Sequence, residues 1–242
     1  IYACTLYLVA TCNSNAADYL IEPYLNVQEV FSDNINLNDN NKNSDFVTVL
    51  QPGLYATRNG SRFKARFNYA IEQIIYADTD ADDTVQNLRT DGNVELWTDH
   101  LFFDFTANNG QQTISSAGSL GEDNIAAGTN REDIFFYRVN PFWKQKISNI
   151  ANLTVGHSYD EILSDIGDSN ANLSYINIKN GSRFTRLLFD FEVNNRFVEI
   201  DGAEDVRFTT IKNRFIYPVT RTFSATATIG YDDDDIPSTT GD

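Results

Sequence analysis

Phe63-Lys64-Ala65-Arg66-Phe67-Asn68-Tyr69-Ala70-Ile71-Glu72 alternates strictly with period two. One face reads Phe63, Ala65, Phe67, Tyr69 and Ile71; the other reads Lys64, Arg66, Asn68, Ala70 and Glu72. Successive strand side chains point to opposite faces, so this is a half-buried β-strand. Residues 186–194 repeat the pattern, with Leu187, Phe189, Phe191 and Val193 opposite Arg186, Leu188, Asp190, Glu192 and Asn194. Residues 223–231 repeat it again: Phe223, Ala225, Ala227, Ile229 and Tyr231 oppose Ser224, Thr226, Thr228 and Gly230. Residues 87–97, 101–107 and 208–217 follow it less cleanly, and no long helical period appears after residue 18.

The connections decide how such strands are joined. Tight turns are expected at Arg58–Ser61, Thr98–His100, Lys144–Lys146, Lys179–Ser182 and Pro218–Arg221, two of them around Asn-Gly, which favours two-residue hairpin turns. Between them lie polar stretches at 32–45, 77–84, 109–131, 160–171, 195–205 and from 232 onward. Short and long connections therefore alternate, giving about eleven strands in hairpin order. Arg58-Asn59-Gly60-Ser61-Arg62-Phe63 recurs as Lys179-Asn180-Gly181-Ser182-Arg183-Phe184. This asymmetry is that of an all-β, antiparallel, up-and-down transmembrane β-barrel, with short turns at one end and long loops at the other. Greek-key sandwiches do not sort their connections this way. Bacterial barrels generally have an even strand number, so at least twelve strands are expected in the full chain.

Charge sorts with the loops. The chain has 242 residues and a net charge of −16. The six long stretches hold 22 acidic and 3 basic residues, against 12 acidic and 15 basic elsewhere. Acidity excludes a nucleic-acid partner, which needs clustered Lys and Arg. A 13% aromatic content argues against disorder. In the barrel register the lumen presents Lys64, Arg66, Glu72, Arg89, Asp91, Glu95, Asp104, Arg138, Arg186, Asp190, Glu192, Lys212 and Arg214. Both signs sit on neighbouring strands, so ion pairs are expected. Phe63, Trp97, Phe102, Trp143, Phe184 and Tyr217 lie near turns and are expected at the membrane interface, where an aromatic ring can be half in lipid. A strand of ten residues at about 3.3 Å each, tilted near 45°, spans roughly the 25 Å apolar band of such barrels.

The first segment reads differently. Ile1–Ala10 is apolar and Thr11–Ala17 small and polar, so residues 1–17 read as a signal-peptide remnant with a cut after Asn15-Ala16-Ala17. The alternative is a first strand of the mature domain. Val9-Ala10-Thr11-Cys12 has a faint likeness to a lipoprotein cleavage site, weakened by Thr11. Residues 18–242 form the barrel domain. On the signal reading both Cys4 and Cys12 leave with the signal, excluding disulfides and thiol chemistry.

Phe31-Ser32-Asp33-Asn34, Asn40-Asn41-Lys42-Asn43-Ser44-Asp45-Phe46 and Gln51-Pro52-Gly53-Leu54 resemble the first hairpin of a family of outer-membrane β-barrels. Gly60-Ser61-Arg62, Tyr69, Tyr76-Ala77-Asp78 and Leu101–Asp104 continue the likeness. That family accompanies exosortase/PEP-CTERM and exopolysaccharide systems of Gram-negative bacteria. The resemblance implies an outer-membrane, porin-like barrel and a role in polysaccharide export or surface assembly; it carries no catalytic residues. Against a complete member, the chain ends in an acidic stretch, and a final strand ending in an aromatic residue is expected beyond it.

His100 and His157 do not converge with a Ser and an Asp, so a hydrolase is not expected, and zinc lacks ligands. Asp78–Asp83 and Asp232–Asp235 offer oxygens without the spacing of a helix-loop calcium site. The expected protein is therefore a non-enzymatic barrel without a cofactor, partnered by outer-membrane lipid and lipopolysaccharide. Polysaccharide or divalent cations would meet the acidic loops. Two alternatives stay open: a closed structural barrel with a salt-bridged lumen, and a secreted β-sandwich binding carbohydrate or cations.

Overall fold

The computed structural model describes residues 2–9, 19–36, 42–80, 82–113, 131–220 and 222–235. The described residues form twelve strands and no helix. They are β1 (Tyr2–Val9), β2 (Tyr19–Ser32), β3 (Asp45–Asn59), β4 (Phe63–Tyr76), β5 (Asp83–Trp97) and β6 (Leu101–Thr113). There follow β7 (Arg131–Ile147), β8 (Ala151–Ser164), β9 (Ser169–Asn180), β10 (Leu188–Ile200), β11 (Val206–Pro218) and β12 (Ser224–Asp235). The sheet order is the chain order, β1 through β12, so the fold is an antiparallel up-and-down all-β meander. The chain divides into two compact units, Ile1–Gly92 with Thr106–Phe136, and Asn93–Phe105 with Tyr137–Asp242.

The period-two segments are strands apart from Arg186, Leu187 and Phe223, which fall in connections, and the strand count among the described residues rises from eleven to twelve. The added strand is Tyr2–Val9, read above as signal, which pairs with β2 from Tyr2↔Phe31 to Val9↔Tyr24. Residues 10–18, including Cys12 and the expected cut, lie outside the described residues.

Several boundaries move. Lys144-Gln145-Lys146 is not a turn but part of β7, and the reversal falls at Ser148-Asn149-Ile150. There Ser148 takes φ 50° and Ile150 N donates to Ile147 O. The Lys179–Ser182 turn is longer than two residues. β9 ends at Asn180 and β10 begins at Leu188, and the connection docks on the preceding turn through Gly181 N to Ile150 O and Arg183 N to Asn149 O. The loops expected at 160–171 and 195–205 shrink to 165–168 and 201–205 because β8 to β11 continue further. Residues 232–235 belong to β12, paired from Thr210↔Asp232 to Arg207↔Asp235. Strict short/long alternation of connections therefore fails in the second unit. In these extensions apolar residues fall on both faces, as with Ile162 beside Leu163 and Phe197 beside Val198, or both faces are acidic, as at 232–235, so the alternation that marks a strand disappears although pairing continues. Residues 114–130 of the expected 109–131 loop lie outside the described residues.

Two joints fix register inside the units. Tyr24 pairs with Gly53, and its ring occupies the place of a side chain there, where a Cβ would lie 2.2 Å from Tyr24 Cζ. The Tyr24 hydroxyl donates to Asn68 Oδ1 on β4 at 3.1 Å. In the second unit Tyr175 pairs with Gly156 in the same manner, with the Cβ position 2.3 Å from Tyr175 Cζ. Its hydroxyl donates to Asn140 Oδ1 on β7 at 3.1 Å. Each tyrosine thus spans a glycine strand and bonds to the strand beyond, an aromatic cover for a bare backbone. Gly53→Ala and Gly156→Ala should each cost about 1–3 kcal/mol by overpacking. Gly110→Ala, whose Cβ would meet only Asn87 Oδ1 at 3.9 Å, should be near neutral. Denaturant melts of the three variants check the contrast.

Candidate functional site

Each unit has one polar and one apolar strand face, and both carry the candidate residues. On the polar face of the first unit, Arg66 grips Asp91 with Nε and Nη2 at 3.1–3.3 Å. Gln51 Nε2 donates to Glu72 Oε2 at 3.1 Å, and Lys64 shares the parity of Arg66 on β4. Arg89 lines a polar cavity of about 210 Å³ with Tyr24, Gln51, Asn68, Asn87 and Asn108. Nearer the loop end this face turns apolar. Val30, Val47, Val49, Ile74, Tyr76 and Val85 form a buried cluster closed by Ile35 from the β2–β3 connection. Ile35 supplies the partner that lets these side chains leave water.

In the second unit, Arg138 Nε and Nη2 donate to the two Asp160 oxygens at 2.7 Å, and Ser158 Oγ adds a bond to Asp160 Oδ1 at 2.7 Å. Asp190 collects Arg214 at 3.0 Å, Lys179 at 3.9 Å and the Asn177 amide at 2.7 Å. Lys212 pairs with Asp232 at 3.7 Å, while Glu192, its register partner, accepts from Asn194. Asp104 accepts from Asn93, and Glu95 caps the turn by accepting from Asp99 N at 2.5 Å. Arg186 falls in the β9–β10 connection, outside the strand expected for it. Water-exposed pairs of this kind contribute about 0–1 kcal/mol each, so they set register more than stability.

The apolar face shows four successive zones in each unit. In the first unit the turn end carries Arg58 over the Tyr19 and Phe63 rings at 4.5 and 5.3 Å. Above it Ile21, Leu54, Phe67 and Ile71 stand exposed. Next comes a hydrogen-bonded polar pair, Thr48 Oγ1 to Glu29 Oε1 at 2.8 Å, and then Phe31 against Phe46 at 4.9 Å. The second unit repeats the order. Trp97 and Trp143 meet edge to face at 5.6 Å with His100 against both, Phe184 packs on Phe189 at 5.4 Å, and Tyr217 is exposed. Val155, Ile176, Ile211 and Ile229 follow, 39–70% exposed. His157 with Ser174 and Asn195 with Thr209, both at 3.0 Å, form the polar row. Beyond it lie Tyr137 against Tyr159, both bonded to Glu161, and Phe197 under Arg207. An apolar groove of about 570 Å³ runs here past Leu101, Pro141, Trp143, Val155 and Ile176.

Phe102 departs from the expected interface set. It has the parity of Asp104 and stacks on buried Phe142 at 5.3 Å, with Lys144 Nζ over both rings. Trp143 lies inside β7 rather than beside a turn, yet reaches Trp97 across the sheet. The loop-side aromatics Phe31, Phe46, Tyr137, Tyr159 and Phe197 were not singled out from sequence. Their signal is their place on the apolar parity, one strand length from the turn-side rings. No family model matches the chain, and no curated protein matches it.

Asp45, 1% exposed, lies on the loop side of Phe46 and accepts from the backbone N–H groups of Ala77, Asp78 and Thr79 at 2.8–3.2 Å. Burial pushes its carboxyl up, but bonds from Thr79, Asp78 and Phe46 outweigh this and hold it below its ordinary value. Its contribution is therefore present above the unfolded carboxyl value of about 4 and lost as pH falls through the lower folded value. Asp45→Ala should free the 77–79 segment at a cost of about 1–3 kcal/mol, read as faster amide exchange there at neutral pH.

Proposed function

We propose that the chain is an outer-membrane β-barrel of porin-like type, with its apolar face toward lipid and its polar face toward water. The carrying observation is the exposed apolar face. Ile21, Phe67, Ile71, Ile176, Ile211 and Ile229 stand open to the surroundings while the opposite face is ion-paired and amide-lined. A water-soluble sandwich buries the first kind of face and exposes the second, so the secreted β-sandwich reading fits poorly.

Dimensions support the membrane reading. Along β2, Tyr19 and Phe31 are separated by about 40 Å of strand, or about 28 Å at a 45° tilt. Along β11, Tyr217 to Arg207 is about 33 Å, or about 23 Å at that tilt. Both values match an apolar band of about 25 Å between two aromatic girdles. The polar rows below the loop-side rings are hydrogen-bonded within the row, which lowers the cost of their position near the interface. The acidic loop ends then face outward, toward lipopolysaccharide and its divalent counter-ions.

Within this reading the barrel passes or helps export a hydrophilic solute. The resemblance to barrels of exopolysaccharide systems directs the role to polysaccharide export or surface assembly. A closed structural barrel is the second reading, favoured by the Ile35-capped cluster and the Phe102–Phe142 stack on polar-face positions. Conductance in planar bilayers separates the two: discrete channels are expected for passage, and silence across salts and voltages indicates the closed form.

Phe67→Arg should impair membrane insertion by about 2–4 kcal/mol, the cost of a basic group near the bilayer centre. Arg66→Ala should insert normally. Refolding yield into lipid vesicles measures both, and equal tolerance at the two positions would refute the assignment of faces.

A further inference from the structure

The polar cavity of the first unit has a composition unlike the rest of its face. Asn87 and Asn108 line it beside Gln51, Asn68 and Arg89, with Tyr24 laid across Gly53. Among the described residues, Asn87 and Asn108 have no side-chain hydrogen-bond partner and Arg89 has no carboxylate partner. Arg66, one turn-side row away, is held by Asp91 in a bidentate pair. An ion-paired face thus opens, at one cavity, into free amides around one free guanidinium.

We infer that this cavity is a binding site for one acidic sugar unit, a uronate, with Arg89 taking the carboxylate. The inference rests on the polar face being the solute-facing one and names the solute class for it. An amide both donates and accepts, and so does a sugar hydroxyl, so an Asn-rich wall satisfies a polyol without imposing charge. The guanidinium fork matches a carboxylate in two parallel bonds, which a neutral sugar cannot return. Tyr24 adds ring surface for the apolar edge of a pyranose. The volume of about 210 Å³ equals roughly seven waters at about 30 Å³ each, room for one ring rather than a chain segment.

Calorimetric titration of the full chain, refolded in detergent micelles, tests this with trigalacturonate as acidic probe and maltotriose as neutral probe. Trigalacturonate should bind about tenfold or more tightly than maltotriose. Arg89→Gln should abolish that preference and leave maltotriose unchanged, while Arg89→Lys should restore part of it. Lys64→Gln, an equal charge change on the same face, should leave both affinities intact. Circular dichroism confirms that each variant keeps its strands. Unchanged preference in Arg89→Gln overturns the proposal, as does equal competition by inorganic sulfate, which would mark a simple anion site. If neither sugar binds but the inserted protein conducts, the sugar site falls and solute passage stands. If Arg89-dependent binding is seen in a protein that never enters bilayers, the site stands and the membrane reading falls.

Discussion

An apolar strand face with nothing packed on it dictates most of the other features. Burying Phe67 or Ile176 against water-excluding neighbours would contribute about 1.5–3 kcal/mol each, and in each unit described alone that burial is missing. The sheet places its ion pairs and amides on the opposite side, so each unit has one apolar and one polar face. The strand lengths, the aromatic rows and the acid at the loop ends all follow from that ordering. The sheet's stability would then depend on lipid for the apolar side and on register for the polar side.

Register is enforced by shape as well as by charge. Solvent-screened pairs such as Arg66–Asp91 contribute little individually. The Tyr24–Gly53 and Tyr175–Gly156 joints cannot slip by one residue without placing a ring on the wrong face and removing its bond to Asn68 or Asn140. The two joints are mirror-ordered along the chain, since Tyr24 precedes its glycine and Tyr175 follows its own. Each pins a hairpin and the strand beyond it.

What could be read from sequence follows from where the two faces differ. Residues 63–72 were legible because Phe, Tyr and Ile oppose Lys, Arg and Glu without a break. Strand ends at 160–164 and 195–200 were not, because adjacent apolar residues, Ile162 with Leu163 and Phe197 with Val198, put apolar side chains on both faces and alternation carries no signal. Lys144-Gln145-Lys146 resembled a turn by polarity, although Gln145 lies on the apolar parity of Trp143 and Ile147. Ion pairs were expected in kind, and Arg66–Asp91, Arg138–Asp160 and Asp190–Arg214 are of that kind. The tyrosine–glycine joints and the Asn87–Arg89–Asn108 cavity depend on register across separate hairpins, which spacing along one strand does not reveal. Ile35 was hidden similarly, as a lone apolar residue in a polar loop that covers Val30 and Val47.

On the membrane proposal, the exposed apolar face meets acyl chains. The most direct measurement is a spin-label scan of residues 64–72 in lipid vesicles, on a background with Cys4 and Cys12 replaced. Collisions with oxygen report lipid and collisions with a water-soluble nickel chelate report solvent. Period-two accessibility is expected, with 65, 67, 69 and 71 rich in oxygen contact and 64, 66, 68 and 72 open to the chelate. Equal chelate access at both parities, or the reverse phase, would contradict it.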